Sequence, residues 1–126
     1  MVEEGRALFL QIAESVEESI VAGSLLEETR APSTNELAAF YRVNPATAAK
    51  GVNLLVDRGV IYKRRGIGMF VATGARELLI AERRAAFPGR YLEPMLAEAR
   101  TLGLGPDELA ALIRERSDAF TKGTAR

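Results

Sequence analysis

Leu8, Ile12, Val16 and Ile20 recur every four residues, Phe9 and Ala13 widen the stripe, and Glu14, Glu17 and Glu18 lie opposite. That pattern predicts an amphipathic helix ending at Gly23. After a loop through Leu25 and Thr29, the run Pro32-Ser33-Thr34-Asn35-Glu36 has the form of a capping box. The Ser33 hydroxyl accepts from the Glu36 N–H while the Glu36 carboxylate reaches back, starting a short second helix over 34–41. Arg42-Val43-Asn44-Pro45 then makes a tight break, with Asn44 as N-cap and Pro45 at the first helical position, where its missing N–H costs nothing. A third helix runs to about Arg58 and stops at Gly59, with Ala48, Val52, Leu55 and Val56 at core spacing and Thr47, Lys50 and Asn53 largely off the stripe.

Val60-Ile61-Tyr62-Lys63-Arg64 and Met69-Phe70-Val71-Ala72 are β-rich runs around a glycine-flanked turn, so they predict a hairpin. Three helices, the last two joined by a tight turn, followed by a hairpin predict a winged helix-turn-helix domain over residues 1–72. Beyond Thr73-Gly74 the pattern is helical, interrupted or kinked at Pro88-Gly89, with a last helix from Pro106 or Asp107 to about Arg116. The fold class is thus α+β, with a short all-α C-terminal segment over 73–126. Two helices cannot close a core alone, so Leu78, Leu79, Leu92, Leu96, Leu109 and Leu112 are expected to pack against the same segment of a second copy.

Composition narrows the function. Apolar residues make up 48% and charged residues 27% of the 126 positions, as in ordinary globular chains. No apolar run approaches the ~18 residues that span a bilayer, and the first residues lack the features of a signal peptide, so a cytoplasmic protein without membrane contact is expected. Cysteine and histidine are both absent. Disulfides, thiolate zinc sites and cysteine nucleophiles are excluded, and the commonest general base is missing. No catalytic residue, metal or cofactor is implied, and nothing brings Asp57, Glu36 and Glu98 together as an enzyme would need.

A formal net charge of zero speaks against nucleic acid, yet the charges are segregated. Up to Tyr41 only Arg6 and Arg30 stand against eight glutamates, whereas residues 42–65 carry Arg42, Lys50, Arg58, Lys63, Arg64 and Arg65 against Asp57 alone. Charge by itself fits either a solvated basic face or a duplex DNA partner. In the predicted fold, the N-terminal half of the third helix presents Asn44, Ala46, Thr47, Ala49 and Lys50 to base edges. Ser33, Thr34 and Asn35 bring the start of the second helix to the phosphates, with Arg30 beside them. Arg64, Arg65, Gly66 and Gly68 form a basic wing tip suited to the minor groove. Bland readings stand beside these: Ser33 as a cap, Thr47 as plain helix surface, Arg30 paired with Glu27 or Glu28, Tyr62 as core wall, and the wing as a solubilising hairpin.

Leu8-Phe9-xx-Ile12-Ala13, Ala31-Pro32-Ser33-xx-Glu36-Leu37-Ala38, Val43-Asn44-Pro45-x-Thr47 and Arg65-Gly66-x-Gly68-x-Phe70-Val71 occur in this order over residues 8–72. In these motifs the chain resembles the GntR family of bacterial transcription regulators, and with its short tail it is similar to the YtrA-like branch. The resemblance implies a winged, DNA-binding regulator whose tail dimerises and is too small to enclose the ligand pocket of larger relatives, leaving an effector unidentified or absent. Many members carry operator-contacting arginines where this chain has Asn35, Pro45 and Ala49, and a threonine at Met69, so Lys50, Arg64 and Arg65 are expected to bear more of the binding. The expected function is a homodimeric, sequence-specific regulator of the repressor type on a pseudo-palindromic operator. The alternative is a winged-helix protein-interaction module that does not bind DNA specifically.

Overall fold

The computed structural model describes residues 7–124, with side chains to residue 121. It comprises two compact units, the first ending at Glu82 and the second beginning at Arg83. In the first, helices α1 (Leu8–Ala22), α2 (Thr34–Tyr41) and α3 (Pro45–Asp57) precede an antiparallel hairpin of β1 (Ile61–Arg64) and β2 (Gly68–Val71), after which α4 (Ala75–Phe87) begins. The expected stripe of α1 is buried through Ile12, Ala13, Val16 and Ile20, whereas Leu8, in its first turn, is 38% exposed. From α3, Ala48, Val52 and Leu55 join it, and Val60, Ile61 and Val71 close the core from the hairpin. Val56, expected in that core, is 37% exposed; the position facing α1 is Gly51, which is buried. A Cβ on Gly51 would lie 2.8 Å from the Phe9 carbonyl oxygen, so this mid-helix glycine is what lets α1 and α3 approach.

The helix ends follow their local chemistry. Ser33 Oγ accepts from the Glu36 N–H at 3.0 Å, and the Ser33 N–H donates to Glu36 Oε1 at 2.8 Å, completing the capping box. Asn44 Oδ1 caps α3 through the Ala46 N–H at 2.7 Å. The hairpin register pairs Ile61 with Val71 and Arg64 with Gly68, leaving Arg65, Gly66 and Ile67 as the turn. Gly66 and Gly68 both have positive φ, 78° and 142°.

One element went unpredicted. Residues 28–31, expected as loop, run antiparallel along the free edge of β2: the Glu28 N–H donates to the Val71 carbonyl, the Val71 N–H to Thr29 and the Ala31 N–H to Met69. So short a stretch, carrying Glu28 and Arg30, has no alternation from which to predict a strand.

Leu79, expected to face a second copy, is only 3% exposed. With Ala75 it belongs to the core of the first unit, because the opening turns of α4 pack there. The start of α4 is fastened too, as the Arg76 N–H donates to Glu27 Oε2 and Arg76 Nε donates to the Val21 carbonyl.

In the second unit a π-helical turn at Pro88–Leu92 links the end of α4 to α5 (Glu93–Thr101) and occupies the expected interruption. The last helix, α6 (Pro106–Thr124), runs well past the predicted end near Arg116. Its final stretch from Ser117 has few apolar residues, so no apolar stripe announced it. Among the described residues of this unit Ala99 is the buried one, whereas Leu92, Leu96 and Leu112 are 38%, 46% and 37% exposed and Leu109 is half-buried.

Candidate nucleic-acid interface

Asn44 sets the entry to α3. With its Oδ1 engaged by the Ala46 N–H, the amide NH2 is turned outward as the free donor for a base or a phosphate. Ala46 and Lys50 are exposed, while Thr47 and Ala49 are half-buried. The Lys50 ammonium lies 4.4 Å from the centroid of the Phe9 ring, a cation–π contact that parks it on the first turn of α1. Such a contact at an exposed site is worth about 0.5–1 kcal/mol, little enough for a phosphate or guanine to draw the side chain away.

At the start of α2 the capping box satisfies the N–H of Glu36, leaving those of the first helical residues, Thr34 and Asn35, without an intrahelical acceptor. The Ser33 hydroxyl is thus an engaged cap. Hydrogen bonds from the Ser33 N–H first and then from the Ser33 side chain hold the Glu36 carboxyl below its ordinary pKa, with the Arg30 guanidinium adding to the effect. Arg30 pairs with neither Glu27 nor Glu28. Its guanidinium lies under the wing, with Nε 3.1 Å from where a Cβ on Gly68 would stand, so Gly68 serves a close approach as well as the turn.

In the wing, the Arg64 guanidinium covers the Phe70 ring at 4.5 Å, and Arg65, Gly66 and Ile67 are exposed at the tip. Tyr62 is half-buried against Phe70, their centroids 6.2 Å apart, and its hydroxyl donates to Glu28. Glu28 also accepts from the Thr73 hydroxyl at 2.5 Å and the Thr73 N–H at 3.1 Å, clasping both ends of the hairpin. The Thr73 hydroxyl first, then that of Tyr62, lowers the Glu28 pKa; the bond to Glu28 in turn raises that of Tyr62. Glu28 holds this post at φ 62°, a backbone conformation uncommon outside glycine.

Arg58, counted with the basic segment from sequence, is not part of a basic face. Its guanidinium joins Glu17 of α1 to Glu82 of α4. Sequence reasoning also missed Phe9, Gly51 and Glu28. A glycine inside a helical pattern was a legible signal at Gly51, whereas nothing in the sequence distinguished Glu28 from the other glutamates of its segment. Among the described residues no group of acidic side chains is arranged to hold a metal ion, and no helix is long and apolar enough to cross a membrane.

The model of the bacterial regulatory proteins of the gntR family matches residues 8–71, from the first turn of α1 to the end of β2. The chain belongs to the GntR family. The similarity to GntR regulators continues past the winged domain. The HTH-type transcriptional regulator YhcF of Bacillus subtilis is 28% identical over 121 residues, covering 96% of this chain and 95% of YhcF. The HTH-type transcriptional repressor YtrA of the same organism is 28% identical over 116 residues, covering 92% of this chain and 88% of YtrA. A solved structure described as a transcriptional regulator of the GntR family from Bacteroides thetaiotaomicron superposes with a TM-score of 0.72 at 34% identity, covering 90% of this chain and 98% of that one. Its winged helix-turn-helix is thus the DNA-binding domain of a GntR transcription regulator, and the family is one of regulators rather than enzymes.

Proposed function

We propose that this GntR protein is a homodimeric repressor, working in the cytoplasm, that occupies a pseudo-palindromic operator. The observation that carries the reading is that one family-matched unit exposes Lys50 on α3 together with Arg64 and Arg65 on a wing that Glu28 and residues 28–31 hold in place. The N-terminal half of α3 enters the major groove, where Lys50 donates to guanine or phosphate and the Asn44 amide and Thr47 hydroxyl supply shorter contacts, with Ala46 allowing close approach. The first-turn N–H groups of α2 meet the backbone at Thr34 and Asn35, and Arg30 adds a cation beside them. Arg64 and Arg65 follow the minor groove, with Gly66 and Gly68 shaping the turn that presents them.

Dimerisation rests on Leu78, Leu92, Leu96, Leu109 and Leu112. The exposure of Leu92, Leu96 and Leu112 in a unit with little core of its own favours a second copy as the cover. YtrA, similar over nearly its whole length, bears the name of a repressor, which supports repression over activation. The test is footprinting on the DNA upstream of the protein's own gene in rising salt. Two protected half-sites are expected, with affinity falling steeply because each phosphate contact adds about 0.9 to the logarithmic salt slope. Absence of protection at low salt, or a Lys50→Ala, Arg65→Ala double variant that binds like the parent, would falsify the proposal.

A further inference from the structure

A cleft of about 730 Å³ opens in the first unit between α1, the 30–32 stretch and α2. That volume falls in the range of roughly 300–1,000 Å³ typical of sites for small organic molecules. Its apolar wall includes Leu25, Pro32 and Phe40. Phe40 is 78% exposed, touching Tyr41 edge-on at 4.9 Å between centroids, so most of its ring is left to something else.

The polar wall has a definite donor and acceptor pattern. Tyr41 Oη donates to Ser15 Oγ at 2.6 Å, Ser15 Oγ donates to the Ile12 carbonyl at 2.8 Å, and Ser19 Oγ donates to the Ser15 carbonyl at 3.2 Å. All three hydroxyl protons are spent, and what these groups offer a ligand is lone pairs. Two opposite charges line the same cleft. Arg30 has no hydrogen bond or ion pair among the described residues, and Glu36 keeps Oε2 beyond the Oε1 that takes the Ser33 N–H.

We propose that this cleft binds a small zwitterion with an apolar body, of the α-amino-acid type. The carboxylate lies on Arg30, the ammonium on Glu36 Oε2 with the hydroxyl oxygens as further acceptors, and the apolar side chain against Phe40, Leu25 and Pro32. Charge complementarity favours this occupant over a simple anion, which Glu36 would repel, and over a simple cation, which Arg30 would repel. The cleft is also wired to the wing. The Ala31 N–H donates to the Met69 carbonyl, and the Arg30 guanidinium supports Gly68. A carboxylate on Arg30 takes that cation from a DNA phosphate and pulls at the root of the wing, so occupancy weakens operator binding. This coupling rests on the DNA-binding reading above, whereas the site itself does not.

Amide NMR spectra of the full chain without DNA, titrated with L-phenylalanine and L-leucine, test the site. Phenethylamine, lacking the carboxylate, and N-acetyl-L-phenylalanine, lacking the ammonium, are the single-charge controls. Saturable shifts at Ser15, Ser19 and Phe40 are expected for both amino acids, with each control at least about tenfold weaker for want of one charge-assisted contact. Arg30→Gln and Phe40→Ala should abolish the shifts. Glu36→Gln, which can keep the capping box, should remove the discrimination against the acetylated control. No saturable shift with either amino acid, or shifts that survive both Arg30→Gln and Phe40→Ala, overturns the site. With operator DNA present, saturating L-phenylalanine is expected to raise the Kd roughly fivefold or more, the lower end of common allosteric couplings. An unchanged Kd with the cleft occupied overturns the coupling, whereas amino-acid binding by a chain that binds no DNA selectively supports the site and removes the DNA reading alone.

Discussion

The ammonium of Lys50 rests on the ring of Phe9, 4.4 Å from its centroid, so the cation expected to carry most of the recognition helix's work has an intramolecular partner when DNA is absent. The two residues make separable predictions. Lys50→Ala should lower the logarithmic salt slope of operator binding by about 0.9 per protomer if the contact is to phosphate, at a stability cost below about 1 kcal/mol. Phe9→Leu keeps an apolar side chain on α1 and should leave the slope unchanged. Salt titrations of both variants on one operator decide, and equal slopes for Lys50→Ala and the parent would count against the assignment.

Arg58 predicts the opposite behaviour. Because its guanidinium is held by Glu17 and Glu82, both partly solvent-accessible, Arg58→Ala should cost on the order of 1 kcal/mol in denaturant unfolding. Its salt slope on DNA should match the parent's. A reduced slope would mean that Arg58 leaves its carboxylates for a phosphate.

Gly51→Ala sets helix propensity against packing. Alanine is favoured in a helix interior by about 1 kcal/mol, but its Cβ would lie 2.8 Å from a backbone oxygen of α1, which cannot swing aside as a flexible side chain does. Overpacking of this kind costs about 1–3 kcal/mol, so a net loss and a lower Tm are expected. Thermal unfolding measures it, and a raised Tm would show that α1 and α3 part easily.

Glu28 predicts a pH dependence. Its folded-state pKa is lowered by the Thr73 and Tyr62 hydroxyls, so its contacts are fully present above the unfolded-state value, about 4.3, and are lost as the pH falls through the lower folded-state value. Glu28→Gln should therefore flatten the acid limb of the stability profile below about pH 4.3 and leave the neutral side nearly parallel to the parent. Superimposable acid limbs would sink the clasp as an ionic one.

On the proposed dimer, Leu92→Glu combined with Leu96→Glu should give a monomer in sedimentation and weaken operator binding by well over tenfold, since a second half-site would no longer contribute through a linked protomer. Leu79→Glu should instead unfold the winged domain, because that side chain lies in its core. A Leu92, Leu96 variant that remains dimeric would move the interface elsewhere.

Helix ends were legible because their signals are local: the Ser33 and Glu36 pair, Asn44 before Pro45, and Gly59 act within a turn or two of chain. The stripes of α1 and α3 were legible because burial repeats with the helical period. What escaped depends on partners distant in sequence. The pairing of residues 28–31 with β2, the Glu28 clasp on Thr73, and the capture of Arg58 by Glu17 and Glu82 each join segments tens of residues apart. Leu78 and Leu79 show the same limit: adjacent in a helical pattern, one is 39% exposed and the other 3%, a choice set by the core beneath them.

That core gives α4 a practical meaning for anyone splicing these regulators. A fragment cut after the wing would leave the seats of Ala75 and Leu79 open to water and strip Arg58 of one of its carboxylates. A chimaera that transplants this reading head onto another tail should place its junction after Glu82, carrying the opening turns of α4 as part of the head.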